Sequence, residues 1–331
     1  MKRRFKGITL VEIMVAVAII GLLIALLLPA IQNARESARR VSCQNNLRQS
    51  ILSIQLFHQA NRRLPQLYNG SFPYLSSIKT FLEKYWDEYH FHSWRTALLP
   101  HLEQSPLYDR IDMEVAASSP SNQLIATLEL PVFLCPSTSV YTRFRPVLQY
   151  FPNVEIGTSA RSDYEVIGGI ELGTESIGMM LSNIKVDQGV WGLPRHVRGR
   201  SVDQDGSYDA PKQTNFGEII DGLSNTMVIG EIAGRPDLYM RGKLESVYGS
   251  VDHPIISSAW AISGPYSSIL LNKDPKVNET NIHGLYSFHT SGANVALSDG
   301  FIRLLADSTD SQVLYAMSTR AGGEVVQSPG N

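Results

Sequence analysis

Apolar side chains run almost unbroken from Ile8 to Ala30, and Glu12 is the only charged residue among them. Such a run is long enough to cross a bilayer core, which takes about 20 mostly apolar residues. After Pro29 the pattern becomes amphipathic. Ile31, Ala34, Ala38 and Val41 recur at helical spacing, and Cys43, Leu47, Ile51 and Ile54 continue on what reads as an adjacent stripe. Arg35, Glu36, Arg39, Arg40, Gln44 and Arg48 fall on the other sides. The pattern predicts one helix over residues 8–63, about 80 Å long at 1.5 Å per residue. A kink is expected near Pro29 and a stop at Leu64-Pro65, because proline lacks the N–H and disfavours helix in the residue before it.

Beyond residue 65 the composition shifts to Gly, Ser, Pro and aromatics. A short helix is expected over 93–99, with Ser93 as N-cap and a break near Pro100. A helical turn follows over 122–128, and short strands over 164–170 and 189–193. Residues 195–212 read as a surface loop, and 216–231 as a turn or short helix leading into a strand. A β-meander is expected over 286–305. The last helix spans 308–320, with Ser308 or Asp310 as N-cap and Gly322-Gly323 as its stop. The fold class is therefore α+β, a long N-terminal helix packed on a β-rich region with short helices.

Lys2, Arg3, Arg4 and Lys6 precede the apolar run, so the positive-inside rule places the N-terminus in the cytoplasm and the rest outside. A cleaved secretory signal would need a small-residue cleavage site, and Leu26-Leu27-Leu28-Pro29 offers nothing clean. A plain anchor leaves Glu12 unexplained, since a carboxylate in the membrane costs about 2.5–3.5 kcal/mol on insertion scales. The 331 residues carry a formal charge of -2. Removing residues 1–7 takes four basic residues from the 29, leaving 25 against 31 acidic ones, about -6. A mildly acidic chain gives no basic face for nucleic acid, and no nucleic-acid partner is expected.

Gly7-Ile8-Thr9-Leu10-Val11-Glu12 resembles the prepilin processing motif. The resemblance implies cleavage after Gly7 by a prepilin peptidase, methylation of the new N-terminal residue Ile8, and a subunit-assembly role for Glu12 with other pilin-like subunits. Phenylalanine is usual where this chain has Ile8. Further blocks resemble the prepilin-type H-X9-DG group, domain of unknown function 1559: the run around Cys43, Ser93-Trp94-Arg95, Phe133-Leu-Cys135-Pro-Ser, 221–226 with Gly230-Glu231, His289 with Asp299-Gly300, and Gly322-Gly323-Glu324-Val325. The implied organisation is a leader (1–7), a transmembrane helix (8–30), its amphipathic continuation (31–64) and a β-rich ectodomain (65–331). A pilin-like fold, single-pass in the cytoplasmic (inner) membrane, follows from it. So does a pseudopilin or minor-pilin-like role in a type II secretion or type IV pilus-like assembly. A membrane-tethered ligand-binding or adhesive module is the alternative. The family supplies no biochemical activity.

The candidate sites are few. Cys43 and Cys135, the only cysteines, outside the cytoplasm suggest a disulfide; two buried thiols remain the other possibility. Zinc is not expected, because neither C-x-x-C nor a paired-histidine motif is present. His289 and Asp299 invite a catalytic dyad. With Asp299-Gly300 as a two-residue hairpin turn and His289 opposite about Asn294, they would lie about 16 Å apart, so a structural role is expected for His289, Asp299 and Gly300. No catalytic residue, cofactor or enzymatic activity is expected. The oxygen-rich 221–226 stretch has turn composition and lacks EF-hand spacing.

Overall fold

The computed structural model describes residues 10–69, 72–73, 92–139, 142–144, 147–148, 151–155, 157–174, 184–191, 207–208, 213–246, 259–262, 269–271, 274–282 and 284–323. Gly7, Ile8, Glu324, Val325 and most of 195–212 lie outside the described residues.

One helix, α1 (Leu10–Asn61), runs uninterrupted for 52 residues with Pro29 inside it. Every large apolar side chain from Leu10 to Ile31 is exposed. That surface fits lipid, and the segment is long and apolar enough for a single-pass membrane anchor. The helix stops before the expected Leu64-Pro65. Arg62 turns left-handed (φ 60°) and its N–H donates to the His58 carbonyl at 2.7 Å, a C-terminal cap. The chain leaves early because the Leu64 N–H is bonded to the Thr214 carbonyl, and Leu64, Leu67 and Tyr68 are buried in the core.

The two apolar stripes of the helix have different fates. Helical residues advance about 100° each, so Val41 and Cys43 lie about 200° apart, on opposite faces rather than adjacent ones. Cys43, Leu47, Ile51 and Ile54 are buried against the domain, whereas Ile31, Ala34, Ala38 and Val41 are exposed.

The domain is built on a six-stranded sheet of β1 (Tyr164–Thr174), β2 (Ile184–Gln188), β3 (Met227–Glu231), β4 (Ile269–Leu271), β5 (Gly292–Leu297) and β6 (Ile302–Ala306). The order is β4-β1-β3-β5-β6, with β2 paired to the second half of β1. Only the β4–β1 pairing in this sheet is parallel. Strand alternation sends Ala296 and Ile302 to the core cluster under α1, and Ala293, Val295, Leu297 and Leu305 to the opposite face. There they meet Leu314 and Met317 of α4 (Ser311–Ser318), which lies after the helices α2 (Trp94–Leu98) and α3 (Pro120–Ala126) in the chain. A third cluster gathers Phe133, Ile125 of α3 and Trp260, whose indole N–H donates to the Leu128 carbonyl.

Ser93 caps α2 by accepting from the Arg95 N–H, and Asp310, not Ser308, caps α4 by accepting from the Gln312 N–H. Two strand assignments move. The strand expected at 189–193 lies at Ile184–Gln188, and residues 286–291 precede the β5–β6 hairpin without joining it as a strand.

Candidate functional site

Glu36, Cys43, Leu47 and Ile54 fall within about 20° of one line along α1, with Gln44 and Gln55 at its edge. Three polar side chains on this face tie the helix to the segment through β5. Glu36 Oε1 lies 2.7 Å from His289 Nδ1, Gln44 Nε2 donates to Asn294 Oδ1 at 3.1 Å, and Gln55 Nε2 donates to the Ser298 carbonyl at 3.3 Å. From residue 36 to 55 a helix rises about 28 Å. Facing it, Gly292–Leu297 is strand, and residues 289–291 turn into it with Ser291 left-handed (φ 77°). The spacing between His289 and Asp299-Gly300 thus spans β5 with a turn at each end, and α1 is fastened beside both turns, through Glu36 at His289 and through Gln55 at Ser298.

Asp299 and Gly300 form the turn at the far end. Leu297 N–H donates to the Phe301 carbonyl and Gly300 N–H to the Leu297 carbonyl, each at 2.9 Å. The connection thus has three residues, not the two expected, and Gly300 (φ 94°) takes the left-handed position such loops require. Asp299 Oδ1 accepts from the Phe301 N–H. Strand β5 separates it from His289, and the two form no dyad.

At the near end Cys43 and Cys135 form a disulfide, with Cα atoms 5.4 Å apart. In the chain-entropy account, a bridge spanning 92 residues removes about 4–5 kcal/mol of unfolded-state freedom. Asn46, one turn beyond Cys43, prepares the contact: its Nδ2 donates to the carbonyls of Pro131 and Leu134. The Cys135 N–H donates to buried Asp163 at 2.7 Å, and Arg161 pairs with the same carboxylate at 3.2 Å. Burial raises the Asp163 pKa, against the pull of Arg161.

His289 is buried beside this bridge. Its Nε2 lies 3.5 Å from Cys135 Sγ and 3.5 Å from Glu231 Oε1. Glu231, also buried, accepts from the Asn294 backbone N–H at 2.7 Å and from Asn294 Nδ2. His289 and Asn294 thus converge on Glu231 rather than facing each other across a hairpin. Burial opposes charge on His289, but Glu231 and Glu36 outweigh it and raise the pKa. Burial pushes Glu36 upward, yet its hydrogen bonds to His289 and Arg39 bring it below the usual carboxylate value.

Ser137 Oγ lies 3.4 Å from His289 Nδ1 and 3.2 Å from Glu36 Oε2. A serine–histidine–acid relay places hydroxyl and acid on different ring nitrogens; here both address Nδ1. The arrangement positions α1 rather than activating the hydroxyl. Sequence reasoning missed Glu36 and Gln44 by setting them on the sides of the helix away from its apolar stripes. The signal was available: Glu36 sits seven residues, two turns, before Cys43.

The remaining motif blocks are accounted for by packing. Arg95 Nη2 pairs with Glu165 Oε2 at 2.8 Å with both side chains fully buried, and Trp94 Nε1 donates to Glu165 Oε1 at 2.9 Å. Asp221 spends its carboxylate on backbone amides: Oδ2 accepts from Gly322 N–H (2.7 Å) and Oδ1 from Gly323 N–H (2.9 Å). Turn hydrogen bonds from Asn225 Nδ2 to the Asp221 carbonyl and from Thr226 Oγ1 to the Gly222 carbonyl hold it there. Asp221→Ala is expected to cost about 1.5–3 kcal/mol, as for hydrogen bonds to a charged group. Limited proteolysis should then trim the segment after Thr319 faster than in the parent; equal trimming would remove the clasp role.

Helix and domain together define an α+β protein whose long apolar N-terminal helix, consistent in length and composition with a single-pass membrane anchor, continues into its core. Residues 32–312 match the family described as protein of unknown function (DUF1559), and residues 2–28 match the prokaryotic N-terminal methylation motif. The chain belongs to the DUF1559 family and carries a prepilin-type N-terminus. No curated protein and no solved structure matches it.

Proposed function

We propose that the chain is a pseudopilin or minor-pilin-like subunit of a type II secretion or type IV pilus-like envelope assembly. The observation that carries this reading is the methylation motif over residues 2–28 on a helix that runs without a break into the domain core. In this reading prepilin peptidase cuts after Gly7, and the apolar half of α1 holds the protein in the cytoplasmic membrane with the domain outside. Other pilin-like subunits then pack on the helix. The exposed face bearing Ile31, Ala34, Ala38 and Val41 supports such packing, because the protein's own domain occupies the opposite face. The domain acts as an assembly and presentation module rather than an enzyme, a reading supported among the described residues by buried carboxylates that are already engaged: Glu165 with Arg95 and Trp94, Asp163 with Arg161 and the Cys135 N–H, and Glu231 with Asn294.

Mass spectrometry of the envelope-extracted protein tests the reading. Residues 1–7 should be absent and Ile8 should carry an N-methyl group. An intact Met1, or a cut near Ala30, would overturn it.

A further inference from the structure

A disulfide asks little of its neighbours beyond the correct geometry. The Cys43–Cys135 bridge nevertheless has a buried imidazole and a buried carboxylate aimed at it. One ligand atom from each of Cys43, Cys135, Glu231 and His289 lies within 4.8 Å of the other three, and all four residues are buried. A zinc tetrahedron with Zn–S near 2.3 Å and Zn–N or Zn–O near 2.0–2.1 Å has edges of about 3.3–3.8 Å. Two edges already have that length: His289 Nε2 to Cys135 Sγ and His289 Nε2 to Glu231 Oε1, both 3.5 Å.

The surroundings are those of a built metal site. His289 presents Nε2 inward while Nδ1 is held by Glu36 at 2.7 Å. A ligating histidine typically has its other ring nitrogen fixed by a carboxylate in this way. Glu231 is oriented by two donors of Asn294, and Asn294 is oriented in turn by Gln44. The four ligands come from four separate parts of the chain, so local spacing could not announce them.

We propose that the reduced Cys43–Cys135 pair, with His289 Nε2 and Glu231, forms a tetrahedral site for a divalent transition metal, with zinc the best match. Two thiolates, one imidazole and one carboxylate are donors zinc accepts, and four of them close its coordination shell. The sulfur chemistry balances through a dithiol reductant. It gives two electrons and two protons to the S–S bond, which breaks into two thiols, and itself becomes a disulfide. Metal binding then releases the two thiol protons to solvent. Disulfide and metal are alternative fastenings of α1 at one point, because each needs both sulfurs. A small-molecule disulfide reverses the step: it takes the two electrons, is itself cleaved to two thiolates, and leaves the Cys43–Cys135 bond re-formed and the metal released. The proposal stands independently of whether the chain assembles with pilin-like subunits.

The test uses the full chain in detergent, reduced with a phosphine under anaerobic conditions and titrated with Co²⁺ and then Zn²⁺. One Co²⁺ should bind per chain, with a thiolate-to-cobalt charge-transfer band and tetrahedral visible bands that Zn²⁺ bleaches. The oxidised chain should show neither. Glu36→Gln keeps all four ligands and should weaken binding about 10–100-fold, the usual effect of losing an outer-shell partner. Cys43→Ser should diminish the charge-transfer band. A folded, reduced chain that takes no cobalt with this spectrum overturns the proposal. So does a spectrum unchanged in a Cys43→Ser, Cys135→Ser double variant. If reduction alone unfolds the domain, zinc should restore its near-ultraviolet circular dichroism, and failure to restore it counts equally against the site.

Discussion

Glu165→Ala should destabilise the domain by about 3–5 kcal/mol, the range for removing one partner of a buried ion pair. Glu165 and Arg95 are fully buried and 2.8 Å apart, and Glu165 also accepts from the Trp94 indole. Truncating it leaves a guanidinium with no counter-charge at that contact and an indole N–H without its acceptor. For a domain of this size, each kcal/mol lowers the melting temperature by about 2–4 °C, so a fall of roughly 6–20 °C is expected. Most of the cost should come from stranding the charge, not from losing a favourable pair. Arg95→Met with Glu165→Met should therefore recover much of the stability, because apolar replacement of a whole buried pair is often neutral. The double-mutant cycle should then show a coupling well above 1 kcal/mol. A single-variant loss under 1 kcal/mol would mean that water reaches the pair.

How much of this was readable in advance depended on whether the determining contacts were local. The long helix was legible because apolar run and helical period are properties of neighbouring residues. Ser93 and Asp310 were legible as caps for the same reason, each bonding an N–H two residues ahead. The helix terminus was legible to within a turn, and its exact place is set by the Thr214 carbonyl that binds the Leu64 N–H, 150 residues away in sequence. The strand at 184–188 reads Ile-Lys-Val-Asp-Gln, too polar to stand out beside Gly189 to Leu193, and pairing with β1 decides it. The site was least legible. Cys43 and Cys135 could be singled out, but Glu36 meets His289 across 253 residues, and Glu231 meets Asn294 across 63. Its chemistry exists only once α1, β3 and the segment before β5 are brought together.

The register between α1 and β5 bears on how a membrane helix is joined to a folded domain. A helix rising 1.5 Å per residue and a strand rising about 3.3 Å drift out of step quickly. Contacts at both ends therefore oppose sliding of the helix along the sheet. Glu36–His289 and the disulfide secure the membrane-proximal end, and Gln55–Ser298 the distal end.

Glu12→Leu is expected to abolish assembly while leaving export intact, if the chain works as the proposed subunit. A carboxylate held within lipid costs about 2.5–3.5 kcal/mol on insertion scales. A neighbouring subunit's N-terminal amine would offset that through a charge-assisted hydrogen bond. Leucine removes the cost, so insertion should be unchanged or better. Cleavage at Gly7 should continue, because the leader and cut site are untouched. Hydrogen bonds to charged groups are worth about 1.5–3 kcal/mol, so each subunit contact should weaken roughly 10–150-fold, every 1.4 kcal/mol being tenfold. Repeated along an assembly, that loss should remove crosslinked ladders and sheared filaments from cells expressing only the variant. Assembly equal to the parent's would show that Glu12 is not a subunit contact. The tethered binding module would then be the better account of the chain, with the prepilin-type N-terminus serving export alone.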